Sequence, residues 1–61
     1  MQFIEFHNVE NSEVFINPKK ITLVRRCILF PDLHTDIVLE DGKFATVNIP
    51  IEQVMSILEK E

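Results

Sequence analysis

The chain has 61 residues, 46% of them hydrophobic, and a net charge of −4. That size supports one domain, 1–61, and a core burying only about 60% of the unfolded chain's surface, a marginal state that small proteins relieve with disulfides, metals or partner subunits. Cys27 is the single cysteine, so no intrachain bridge can form, and the acidic balance opposes general attraction to nucleic acid or anionic membranes.

The first apolar run, "QFIEFH" (2–7), reads as a strand and is followed by "NVENSE", whose asparagines and serine favour a turn. A second strand, "EVFI" (13–16), ends at Asn17-Pro18, because proline has no amide proton for a ladder and holds its predecessor out of helical geometry. "ITLVRRCILF" (21–30) is rich in β-branched and large apolar residues and reads as a third strand. Its alternation puts Ile21, Leu23, Arg25, Cys27 and Leu29 on one side and Thr22, Val24, Arg26, Ile28 and Phe30 on the other. Arg25 and Arg26 therefore face opposite ways unless a bulge intervenes. After a loop at "PDLH" (31–34), "TDIVL" (35–39) and "FATVNI" (44–49) flank "EDGK", where Asp41-Gly42 is the strongest hairpin signal in the chain.

Past Pro50 the spacing becomes helical, with Ile51, Val54, Met55 and Leu58 at i, i+3, i+4 and i+7 and Ile57 widening the stripe. Pro50 suits a first turn, Glu52 the positive end of the dipole and Lys60 the negative end. The predicted class is α+β: a small antiparallel β-meander of four to five strands with one C-terminal amphipathic helix on one face. Phe15, Val24 and Ile28 are left as apolar candidates for the other face, which a second subunit would cover. No stretch reaches the ~20 apolar residues of a membrane span. The start has neither the basic region nor the apolar run of a signal peptide, so a cytoplasmic address is expected.

Signals of catalysis are sparse. The only glycine, Gly42, lies in the hairpin turn, which leaves no phosphate-cradling glycine loop. Cys27 could pair with His7 or His34 as a nucleophile, but a mid-strand position in an apolar run predicts a buried, inert thiol. Glu40 and Asp41 read as turn solubilisers rather than an acid/base pair. Asp32, His34 and Asp36 share one side of an extended segment and supply donors suited to a divalent ion, yet spacing alone does not make a site, and a polar loop is the expected reading. No enzyme activity, cofactor or metal is assigned.

Charge is unevenly placed. Residues 19–26 carry Lys19, Lys20, Arg25 and Arg26, four of the six basic residues of an otherwise acidic chain. Such an island can contact phosphates, protect a sheet edge from stray pairing, or meet acidic groups of a neighbouring subunit. Small sheets that bind nucleic acid usually add exposed aromatics for stacking, and near the island only Phe15 and Phe30 qualify. Lys19, Lys20, Arg25, Arg26 and Phe15 are the candidate binding residues.

The order "INPKKI", a strand pair around "DGK" and a closing "IEQVMSIL" resembles small bacterial proteins of the flagellar FlbD type and related short proteins. The shared N-P-x-x-I step falls on Asn17, Pro18 and Ile21. The T-x-I-x-L…G-K hairpin falls on Thr35, Ile37, Leu39, Gly42 and Lys43, and the E-x-V-x-x-I helix on Glu52, Val54 and Ile57. The connection "RRCILFPDLH" is longer than in that family, and the strand and helix rhythm is also similar to the end of LytTR-type DNA-binding domains. The resemblance brings no catalytic residue and implies a regulatory or accessory protein. The expected function is a small bacterial or phage regulator or inhibitor that acts by protein–protein contact as a homo-oligomer. The alternative is a nucleic-acid-binding regulator using the island from Lys19 to Arg26.

Overall fold

A computed structural model describes residues 2–61. Five strands and one helix follow in the order β1 (Ile4–His7), β2 (Glu13–Ile16), β3 (Ile21–Arg26), β4 (Thr35–Leu39), β5 (Phe44–Val47) and α1 (Ile51–Glu59). The fold is α+β and every strand pairing is antiparallel. The strands do not form one continuous meander: β1 and β2 make a hairpin, and β3, β4 and β5 make a separate sheet in that order. A lone antiparallel bridge between Asn8 and Val47 joins the pieces, and Asn48 N–H donates to the His7 carbonyl at 2.9 Å.

Both hairpins turn by the same device. In the first, Asn11 N–H donates to the Asn8 carbonyl and Asn11 takes φ 66°; in the second, Gly42 N–H donates to the Leu39 carbonyl and Gly42 takes φ 88°. A residue in the left-handed region at the end of a turn lets strands of right-handed twist continue without splaying. The Asn8 side chain reinforces the first turn by accepting from the amides of Glu10 and Ser12, and Asp41 reinforces the second by accepting from Lys43 N–H. Asn17-Pro18 ends β2 as expected, and Pro18–Lys20 form one 3-10 turn whose Lys19 amide is capped by the Asn17 side chain at 3.0 Å.

The core draws on all three pieces: Ile4, Phe6 and Ile16 from the hairpin, Ile37 and Val47 from the sheet, and Val54 from the helix. Complete burial of a side chain such as Val54 contributes about 1.5–3 kcal/mol. Ile57 and Leu58 pack against this cluster, while Met55, expected in the stripe, lies at its margin and is exposed. Thr35 is fully buried on the same side, and its hydroxyl donates to the Ile49 carbonyl at 2.8 Å, tying β4 to the start of the helix.

Three expectations need correction. A register irregularity between Ile21 and Leu23 parts these two residues, which alternation put on one side: Ile21 packs against the core opposite Leu39, and Leu23 is exposed. Val24 also faces the core, opposite Ile37, and is not an outer-face residue. The third strand ends at Arg26, whose partner Thr35 is the first residue of β4, and past that pair only the Cys27 amide reaches across, to the His34 carbonyl; Cys27 is half-exposed rather than buried in the core. Among the described residues no helix is long and apolar enough to cross a membrane.

Candidate interaction surface

Cross-strand register sets what the three-stranded sheet shows on its outer face. Leu23, Val38 and Phe44 are consecutive cross-strand partners, as are Arg25, Asp36 and Thr46. Partners share a face, so two parallel rows form there, one apolar and one polar. Leu23 is 48% exposed and Phe44 56% exposed, although both belong to a regular sheet.

The polar row is internally satisfied. The Asp36 carboxylate is nearly buried, with one oxygen accepting from the Thr46 hydroxyl at 2.7 Å and the other from Arg25 Nε at 3.3 Å. The Arg25 guanidinium also lies over the Phe44 ring, 5.4 Å from its centroid. A planar cation that stacks and donates at once links the two rows into one surface. The buried charge is thereby paired and hydrogen-bonded, the condition for tolerating it away from water.

Beyond the polar row, β3 leads into the loop 27–34. Cys27 N–H donates to the His34 carbonyl at 3.2 Å, and Leu33 and His34 amides both donate to the Phe30 carbonyl. The Phe30 and His34 rings meet edge to face at 5.4 Å. The loop is therefore turned on its own hydrogen bonds, and it displays Ile28 at 91% exposure, Leu29 at 79%, and Phe30 and Leu33 at more than half. Six large apolar side chains thus point outward from this sheet and its adjoining loop, in a chain whose buried core holds six.

The basic island is placed differently. Lys20 pairs with Glu40 at 3.0 Å, Arg25 with Asp36 at 3.3 Å, and Arg26 with Glu52 of the helix at 3.3 Å. Arg25 and Arg26 do face opposite sides, as the alternation requires. Among the described residues Lys19 alone of the four has no ion-pair partner. Phe15 stands on the other sheet, opposite Glu5 on the outer face of the hairpin, and is exposed. The structure does not gather these five residues into one patch.

Asp32, His34 and Asp36 are not brought together as a cation site, since both oxygens of Asp36 are taken by Thr46 and Arg25. Another group converges instead: Glu5, His7 and Glu13 on the outer face of the hairpin. Neither this group nor the Leu23–Val38–Phe44 row is visible from spacing along the chain, because each depends on which residues stand opposite one another. The exposed loop side chains had a signal, the apolar run 27–30, which reads equally well as more strand.

Comparison with family models, curated proteins and solved structures finds no match.

Proposed function

We propose that this protein is a non-enzymatic interaction module that associates with a second copy of itself through the outer face of β3–β5 and the loop 27–34, and acts as a small regulator or inhibitor. The observation that carries the reading is the outward apolar row Leu23–Val38–Phe44, together with the exposed loop side chains Ile28, Leu29, Phe30 and Leu33 beyond the polar row. Exposed apolar side chains that stand in groups mark interaction sites more often than singly scattered ones do. The polar row favours a second copy as the occupant. A two-fold contact sets a surface against itself, so a net charge at its centre repels; Arg25 and Asp36 cancel there, although the chain as a whole carries −4.

The pairing of Lys20, Arg25 and Arg26 with carboxylates of their own fold supports the protein reading over the nucleic-acid one, because those cations are already partly neutralised. The FlbD-type resemblance points the same way, towards an accessory protein, and the lone half-exposed Cys27 fits a reducing, cytoplasmic setting.

Gel filtration with light scattering over a range of concentrations tests the proposal. The wild-type chain is expected at the mass of a dimer or higher, and L23K/F44S at the mass of a monomer with an unchanged far-ultraviolet spectrum. A wild-type monomer at every concentration overturns self-association. Association with nucleic acid that weakens steeply as salt is added, and is lost in K19E/K20E, would replace it with the alternative function.

A further inference from the structure

The outer face of the β1–β2 hairpin holds a cluster with no part in the surface described above. His7 and Glu13 are direct cross-strand partners, and Glu5, two residues before His7 on the same strand, shares their face. One donor atom from each of the three lies within 4.8 Å of the others, and His7 Nε2 is 3.4 Å from Glu5 Oε2. The side chains of Glu5 and His7 are half-exposed, so an ion reaches them without any opening of the fold.

We propose that Glu5, His7 and Glu13 form a binding site for a divalent transition-metal ion that clips β1 to β2. The donor set is one imidazole nitrogen and two carboxylate oxygens, and the imidazole separates it from an ordinary pair of surface acids. Imidazole suits zinc, nickel and copper, whereas calcium and magnesium take all-oxygen shells. Three protein ligands leave positions for water, as in open zinc sites. Two carboxylates flank one imidazole here, and like charges at neighbouring cross-strand positions repel. A dication neutralises both and replaces that repulsion with coordination.

The position gives the ion structural work. The hairpin pairs with the rest of the sheet framework through the bridge at Asn8 and Val47, and a two-stranded hairpin is marginal in isolation. An ion that binds only the folded chain stabilises it by mass action, and metals are one of the devices that small domains use when their core is small. The strands hold His7 and Glu13 in fixed register, so two of the three ligands need little ordering when the ion arrives.

Zinc chloride titrated into the purified metal-free chain tests the site, read by calorimetry and by amide chemical shifts. The expected result is one equivalent bound, with the largest shifts at Glu5, His7 and Glu13 and a raised melting temperature. H7A and E13Q, both at outward positions, are expected to weaken binding at least about tenfold, the scale on which even loss of an outer-shell partner weakens a metal site. C27S and H34A are expected to bind as the wild type does. No heat and no shifts from the wild-type chain, or binding that survives H7A and disappears in C27S, overturns the proposal. The self-association reading rests on other side chains and is unaffected by either result.

Discussion

The hairpin β1–β2 and the sheet β3–β5 turn in the same way and differ in what they show to solvent. Each closes with a residue in the left-handed region, Asn11 in one and Gly42 in the other. Each sends alternate apolar side chains into one shared core. Outward, the hairpin presents Glu5, His7, Glu13 and the single aromatic Phe15, whereas the sheet presents a full cross-strand apolar row beside a satisfied Arg25–Asp36–Thr46 row. The same backbone economy thus supports two surfaces of different chemistry, one proposed above to hold a cation and one to meet a second copy of the chain. In so small a domain the inner faces are committed to the core, and both proposals rest on the outer ones.

If the two regions share one core, breaking either side must unfold both. F6A, in the hairpin, is expected to cost about 3–5 kcal/mol, and I37A, in the sheet, about 2–5 kcal/mol. Urea unfolding followed by circular dichroism and by amide shifts should show one transition in each case; a hairpin that melts separately would break the shared-core account. Next in size is D36A, which strands the Thr46 hydroxyl and the Arg25 guanidinium and is expected to cost about 1–3 kcal/mol in the same denaturation measurement.

The two turns sharpen the comparison further. No atom lies within 4 Å of where a Cβ on Gly42 would stand, so G42A has room and is expected to cost only the conformational penalty of about 1–2 kcal/mol. N11G is expected to do the reverse and stabilise the hairpin by less than about 1 kcal/mol, because asparagine tolerates the left-handed region but glycine adopts it freely. Smallest are K20A and R26A. Each removes an ion pair with both partners exposed, worth about 0–1 kcal/mol, and a thermal melt at low salt should barely move.

Much of this fold can be read along the chain, and the failures have identifiable physical causes. Asn17-Pro18, Asp41-Gly42 and the helical spacing after Pro50 are local signals, and each marks the boundary it should. β3 was expected to run to Phe30 because its apolar, β-branched composition continues, but a strand ends where its partner ends, and β4 begins at Thr35. The irregularity after Ile21 exchanges the face of that one residue, which no alternation can foresee. Asp36 resembles a loop ligand beside Asp32 and His34 until Arg25 and Thr46 are seen to stand across from it. Both candidate surfaces are of this kind: they are assembled from register between strands, which is non-local and leaves no spacing of its own.

The most direct test sets one sheet against the other. Sedimentation velocity of F44S, on the outer row of β3–β5, is compared with that of F15S, on the outer face of the hairpin, at the same concentrations as the wild type. The expected result is a monomer for F44S and a wild-type dimer or larger species for F15S. Association retained in F44S and lost in F15S would contradict the assignment of the contact surface to β3–β5.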